Sequence, residues 1–593
     1  MSLSFRKVCL LLQFILPISA VIQEAFTALP KVSYDFVIVG GGTAGAVLAN
    51  RLTENPRWNV LVLEAGPSNE GVLDSIVPNY SFNLQSTIYD WNYTSTPQPG
   101  LNNRRVAIPR GHILGGCSSI NGMFYTRGSS DDYDRWAKVT GDDGWSWKKL
   151  LPYIMKNERW TTPTDRRNIS GQYNHSVHGR NGKTFVSLYS VPEALDAKIM
   201  EASKELGGDF RHNIDTNSGD ALGIGWLQVT VGNGERSSAA TAYLAPEYLK
   251  RPNLHVLVKN RVTKVLQTTT NRGVPVVRTV QFSEGYTSTG AKYEVTAQKE
   301  VIMSAGSFGT PHVLQLSGIG DAKELRAVGI HPIADLPSVG KNLTDQPQFT
   351  LIWPLGMNET QTFTPTAEHQ AQWLAEWRAN RTGPLTGVGV NSIAWIRIPD
   401  SSPIWQNHSD PAAGRKTPHL ELPFIGGGLY PLPGRIMGTN NVVAEPHSRG
   451  SISLNSKDPF DPPLIDMGIL THPYDLLALK EGISAIRKFL TASTFAEWNL
   501  SLAYPFKDDS TDEEIEQAIR NVAASNVHPV GTAAMSPKGA DYGVVDPDLR
   551  VKKVAGLRIV DASVMPFITC SHTQAAVYAI AERASDMIAA SWR

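Results

Sequence analysis

An α/β fold, α+β overall once a second unit is counted, follows from three stretches of this 593-residue sequence. Tyr34-Asp35-Phe36-Val37-Ile38-Val39 is a short apolar run rich in β-branched residues, and it leads directly into Gly40-Gly41-Gly42-Thr43-Ala44-Gly45 and Ala46-Val47-Leu48-Ala49. That order is strand, glycine turn, helix. Val60-Leu61-Val62-Leu63 is a second strand candidate, and it stops at Glu64. Near the other end, Gly556-Leu557-Arg558-Ile559-Val560-Asp561-Ala562-Ser563 reads as a core strand closing on a small-residue turn with an acid. The length is several times that of a typical single domain, so at least two packed units are expected.

The glycine positions have separate physical roles. Gly40 allows a tight turn, Gly42 lets a pyrophosphate approach the backbone, and Gly45 lets the helix lie against the strand, with Thr43 and Ala44 between them at the helix start. Glu64, 19 residues after Gly45, is placed to accept hydrogen bonds from an adenosine ribose and to repel a 2′-phosphate. A Rossmann-like dinucleotide site is therefore predicted, with FAD and NAD both open on this stretch alone.

Lysine and arginine total 55 against 55 aspartates and glutamates, which gives no electrostatic case for nucleic acid or an anionic membrane. No Cys/His spacing points to a metal, and no G-x-S-x-G elbow points to a hydrolase. Residues 1–28 read as a signal peptide: Arg6 and Lys7 precede an apolar stretch over 8–22, broken by Gln13, Pro17 and Ser19, with small residues at Ala20, Ala25 and Ala28 as cleavage points. The stretch is shorter than the roughly 20 residues a membrane span needs, so a secreted, extracellular protein without a membrane anchor is expected. Sequons at Asn79, Asn92, Asn168, Asn174, Asn342, Asn358, Asn380, Asn407 and Asn499 agree with glycosylation on that route. Cys9 falls in the leader; Cys117 and Cys570 are expected as two separate buried thiols.

Arg110-Gly111-His112-Ile113-Leu114-Gly115-Gly116-Cys117-Ser118-Ser119-Ile120-Asn121-Gly122-Met123 resembles the first signature of the glucose-methanol-choline (GMC) oxidoreductases, with His112 in place of the usual Arg or Lys. The stretch from Gly306 to Gly320, Gly-Ser-Phe-Gly-Thr-Pro-His-Val-Leu-Gln-Leu-Ser-Gly-Ile-Gly, resembles the second signature throughout. Blocks at 236–244 and 337–345 and the C-terminal segment extend the resemblance from about residue 34 to the chain's end. The resemblance implies FAD as cofactor. Gly116, Ser118, Asn121 and Gly122 belong to a loop whose successive backbone N–H groups suit a phosphate or a flavin edge. Val262 matches the residue whose backbone meets the adenine, and Asp561, Ala562, Thr573 and Gln574 match positions at the cofactor. Ile120 stands where some relatives carry a flavin-linked histidine, so noncovalent FAD is expected.

The same resemblance places His528, in Val527-His528-Pro529-Val530-Gly531-Thr532, and His572, in Cys570-Ser571-His572-Thr573-Gln574, at the catalytic positions. The implied reaction moves a hydride from an alcohol carbon to flavin N5 while the hydroxyl proton leaves to His528. An imidazole with pKa near about 6.5 suits that task. His572 would bind the same hydroxyl and help deliver protons to oxygen or a quinone; at a helix N-terminus its neutral form is expected. The pattern is similar to secreted fungal aryl-alcohol oxidases and pyranose dehydrogenases. Aryl or allylic alcohols are the expected substrates, with sugars or an alcohol of secondary metabolism as alternatives. Gly122 and Val527 replace aromatic residues and predict an open pocket. A catalytically silent flavin- or carbohydrate-binding protein is the reading from another class, and the intact histidines argue against it.

The FAD domain is expected from segments 31–75, 105–135, 229–345 and 540–593. Segments 150–228 and 346–539 would form a substrate domain with an antiparallel sheet and covering helices. Trp353, Trp373, Trp377, Trp395, Trp405, Phe424 and Tyr430 are read mostly as core, and 426–434 as a loop at the pocket mouth. A monomer is expected.

Overall fold

The computed structural model describes residues 22–354, 366–426 and 436–593. Most of the leader, the sequon at Asn358, Tyr430 and most of the 426–434 loop lie outside the described residues.

The first unit is built on a parallel sheet. Tyr34–Val39 lies between Val60–Leu63 and Lys292–Met303, with Leu254–Leu257 beyond the former and Leu557–Ile559 beyond the latter. These strands read as continuous Val/Ile/Leu runs because both sheet faces are covered. Lys292–Met303 is long enough to serve two layers. Its second half sits in the parallel sheet, and its first half pairs antiparallel with Val274–Glu284, which in turn pairs with Asn260–Asn271. The helix Thr43–Leu52 packs beside the C-terminal helix Gln574–Ser591, which also meets Trp147–Asn157. Gln23 adds an edge contact: its N–H donates to the Val256 carbonyl and its own carbonyl accepts from Val258, both at 2.9 Å.

The second unit is a six-stranded antiparallel sheet in the order Ala524–Ser525, Pro347–Pro354, Ile436–Val443, Leu420–Ile425, Val390–Ile396, Gly223–Trp226. Side chains alternate across it. Phe349, Leu351, Trp353, Leu420, Leu422 and Phe424 share the back face and bury against the helix Pro473–Phe489. The alternate residues Gln348, Thr350, Glu421, Pro423, Ile425 and Asn440 share the front face, which looks toward the first unit.

Packing moves two expected domain boundaries. Leu150 and Ile154, and also Val530, Ala533 and Met535, bury in the core of the first unit because their segments lie against its C-terminal helix and strand. Trp353, Trp377, Trp395 and Phe424 are core residues, while Trp373 and Trp405 are half-buried. Cys117 and Cys570 are both free thiols. Among the described sequons, Asn174 is half-buried and Asn79, Asn92, Asn168, Asn342, Asn380, Asn407 and Asn499 are exposed. Among the described residues, no helix is long and apolar enough to cross a membrane.

Candidate active site

A cavity of about 690 Å³ is lined by residues of both units, among them those of the glycine turn. Gly40 has φ +101°, and a Cβ there would meet the Ser304 carbonyl at 2.5 Å. Gly45 does not line the cavity; its missing side chain lets the helix close on the strand, since a Cβ would lie 1.9 Å from the Gly40 carbonyl. Gly116 approaches Gly42 so closely that a Cβ on Gly116 would sit 2.8 Å from the Gly42 Cα, whereas a Cβ on Gly42 meets nothing nearer than 3.8 Å. Gly115 N–H donates to the Gly41 carbonyl at 2.8 Å, tying the two loops together. The helix Thr43–Leu52 has no side-chain cap at Gly42, so its first-turn N–H groups remain for an anion. An open concavity, bare backbone and uncapped amides together fit a dinucleotide diphosphate.

Gly40, Gly42, Thr43, Ala44, Glu64, Gly116, Ser118, Asn121, Gly122, Val262, Asp561, Ala562, Thr573 and Gln574 all line this one cavity, as do His528 and His572. Several have further duties. Glu64 accepts from the N–H groups of Gly41 and Gly66, each at 2.7 Å, and burial pushes its carboxyl up to about 7 against those bonds. Asp561 accepts from Gly306 N–H (2.9 Å), Thr310 Oγ1 (2.6 Å) and Ser563 N–H (2.8 Å), so its carboxylate fixes the turn before the helix Gly306–Leu316. Ser118 Oγ donates to the Gly115 carbonyl at 2.6 Å and accepts from Ala239 N–H at 2.9 Å. Asn121 Nδ2 donates to Gln574 Oε1, joining the signature loop to the C-terminal helix. Ile120 is buried with Leu84 and Ile113 and offers no nucleophilic atom. These residues fit FAD, which when bound supplies a ring that accepts a hydride.

Two imidazoles that line the cavity, His528 and His572, meet with ring centroids 4.4 Å apart and planes at 73°. Gln346 decides the tautomer of His528. Its Nε2 donates to the carbonyls of Ala444 (2.8 Å) and Thr569 (3.3 Å), which turns Oε1 toward His528 Nδ1 at 2.7 Å. Asn526 Nδ2 also lies 3.2 Å from Nδ1, but the Gln346 acceptor is nearer at 2.7 Å, so we assign the ring hydrogen to Nδ1 and leave Nε2 as the acceptor. Burial, then His572 and Arg110, hold the His528 imidazole well below its usual titration range. The backbone is fixed as well. His528 N–H donates to Asp345 Oδ1 at 2.8 Å, and Arg110 Nη2 donates to the carbonyl of Val527 at 2.8 Å, where φ is +57°.

His572 lies at the start of Gln574–Ser591, as the sequence predicts, but the helix end is not its only electrostatic neighbour. Its Nε2 is 2.7 Å from Glu421 Oε1, and Glu421 is fully buried on the front face of the second sheet. A hydrogen on Nε2 is fixed by that carboxylate. The arrangement gives one acceptor ring nitrogen on a half-buried imidazole and a second imidazole beside it.

Gln346 and Glu421 escape sequence reasoning. Glu421 leaves a faint signal, a single acid in Leu420-Glu421-Leu422-Pro423-Phe424-Ile425, where alternation puts it on the face opposite the core leucines. Gln346 leaves none beyond its place next to Asp345.

The description GMC oxidoreductase is carried by two family models, which match residues 34–348 and 446–581. The chain is 43% identical to dehydrogenase eriK of Hericium erinaceus, covering 99% of each chain, and 40% identical to pyranose dehydrogenase 3 of Leucoagaricus meleagris, covering 98% of this chain and 97% of that one. Among solved structures, an FAD-dependent oxidoreductase from Chaetomium thermophilum superposes with TM-score 0.85 at 31% identity, over 94% of this chain and 99% of that one. A fungal aryl-alcohol oxidase superposes with TM-score 0.81 at 28% identity, over 94% and 99%. Motif order, the two-unit fold and these matches agree: the chain belongs to the GMC oxidoreductases, FAD-dependent enzymes acting on CH–OH groups.

Proposed function

We propose that the protein oxidises a secondary or primary alcohol on a polyhydroxylated, pyranose-type substrate, with noncovalent FAD as hydride acceptor, His528 as the base and His572 as the hydroxyl-orienting partner. The observation that supports the reading is the acceptor Nε2 of His528, set by Gln346, in a cavity that the polar residues Gln348 and Asn440 of the front sheet face also line. On that face Gln348 Oε1 is buried without a hydrogen-bond partner among the described residues, and Asn440 Oδ1 accepts from Thr350 Oγ1 at 2.8 Å. A site that leaves a buried acceptor for its ligand favours substrates with several hydroxyls. The 40% identity to a pyranose dehydrogenase supports the same class. Phe124, 4.7 Å from the His572 ring, together with Val388, Val390 and Ile425, favours a second reading in which an aryl or allylic alcohol is the substrate. Oxygen or a quinone takes the electrons, and the enzyme works as an extracellular monomer.

The test is anaerobic bleaching of the oxidised flavin band by monosaccharides, benzylic and allylic alcohols, and small aliphatic alcohols. Bleaching by sugars is expected, and recovery under oxygen compared with quinone then separates the acceptors. Bleaching by benzylic alcohols alone would replace the first reading with the second. No bleaching by any class would favour a silent site.

One intact-mass measurement on the denatured secreted protein checks three further points. Because Gln23 pairs with the first sheet, cleavage after Ala20 is the expected start among the three candidates. N-glycosidase should lower the mass, and no flavin mass should remain on the chain. A retained flavin mass would overturn noncovalent binding, despite Ile120.

A further inference from the structure

The block 236–244 contributes to the family resemblance, yet nothing above uses its first residue. Arg236 is 3% exposed, and among the described residues it has no carboxylate partner. Its Nε donates to the Ser75 carbonyl at 3.0 Å. Its Nη1 donates to the carbonyls of Ser118 (3.3 Å) and Asn121 (2.7 Å) and to Asn121 Oδ1 (2.9 Å). Nη2 is buried with no hydrogen-bond partner among the described residues. The titratable groups that bear on it, Tyr189 and Tyr578, are phenols whose titration burial pushes far upward, so they bring no negative charge.

A guanidinium buried among carbonyls and neutral phenols is expensive, and burial pushes even this group down to about 10. Its contacts show which space it serves. Ser118 and Asn121 line the cofactor cavity, and Asn121 is tied to Gln574 on the opposite side of the same floor. Arg236 therefore grips the floor from behind, and its charge is the one buried cation applied to that turn without an internal counter-ion among the described residues.

The reaction supplies the missing charge. When the alcohol carbon gives up its hydrogen with both bonding electrons, the ring gains one negative charge; the hydroxyl proton goes to His528, and the carbonyl product leaves neutral. We infer that Arg236 is the built-in countercharge for the reduced cofactor, a positioning residue that fixes the 118–121 turn with its fork and stabilises the incoming charge through its field. The inference rests on the FAD reading above. It predicts a property of the cofactor itself, the reduction potential, rather than only a rate.

The test is the two-electron midpoint potential of the holoenzyme, titrated reductively against a reference dye, for the wild type, Arg236→Met and Arg236→Lys. Arg236→Met should shift the reduction equilibrium toward the oxidised form by about tenfold or more, about 30 mV for a two-electron couple, while Arg236→Lys stays within about threefold of wild type. A wild-type potential in Arg236→Met would overturn the inference, as would an equal loss in both variants, because the second result marks a shape-dependent role. Should Arg236→Met yield no holoenzyme, Arg236→Lys decides alone: a shift within about threefold supports the countercharge, and about tenfold rejects it. A wild-type protein that purifies without a flavin band overturns the FAD reading itself, and its spectrum tells that failure from the others.

Discussion

His528→Ala is expected to purify with a full complement of flavin and to be reduced by its alcohol about 10² to 10⁴-fold more slowly than the wild type. The flavin should stay because the His528 ring contacts Gln346, Asn526 and His572 rather than the glycine turn that suits the diphosphate. The rate should fall because His528 Nε2 is the acceptor that the Gln346 contact leaves open, whereas His572 is held by a different partner. His572 has its Nε2 committed to Glu421 Oε1 at 2.7 Å, and Glu421 itself is buried behind that imidazole. Anaerobic stopped-flow reduction at saturating alcohol reads the effect, and a near-normal rate would show that the proton leaves by another route. The pH profile carries the same argument. A histidine whose titration is depressed by burial and by neighbouring His572 and Arg110 is already proton-free at the unperturbed pKa of about 6.5. The wild-type limiting reduction rate should therefore be flat from about pH 6.5 upward and fall only in more acid solution. An activity rise centred above about pH 7 would mean that the base titrates as an exposed histidine does.

The parts of this site that sequence shows are those whose chemistry is local. Gly40, Gly42 and Gly45 act within one turn, so their spacing reports their function directly. The same holds for the signature loop around Gly116, where close approach to Gly42 demands the absence of a side chain. The histidines are legible only through the surrounding motifs, since two imidazoles 44 residues apart carry no signal by themselves. What fixes their protons is not local at all. Gln346 reaches His528 across 182 residues and Glu421 reaches His572 across 151. The first follows from the antiparallel pairing of Pro347–Pro354 with Ala524–Ser525 and the second from the front face of the second sheet meeting the start of the C-terminal helix, and neither pairing has a sequence period. The domain boundaries shift for the same reason. Leu150 and Ile154 look like any amphipathic helix in sequence, and only the partner helix Gln574–Ser591 assigns them to the first core.

Replacing Glu421 tests whether that distant contact matters to the chemistry. Glu421→Leu should leave flavin content unchanged and lower the limiting reduction rate by about 10 to 100-fold, corresponding to the roughly 1–3 kcal/mol lost when a buried donor has no acceptor. Glu421→Gln should lose no more than about tenfold, because its amide oxygen can still accept from His572 Nε2 and hold the ring. The graded pair separates orientation from charge: if the carboxylate's charge were the whole contribution, the two variants would fall equally. The same strand position explains why the loss should appear in the rate more than in binding. Glu421 touches the His572 imidazole, while Gln348 and Asn440 on the same face line the cavity. A hydroxyl that binds but is held at the wrong angle to His528 reacts slowly without leaving sooner. Glu421→Leu with reduction within about twofold of wild type would make the Glu421–His572 contact a packing feature, and would leave His528 and Gln346 to set the proton transfer alone.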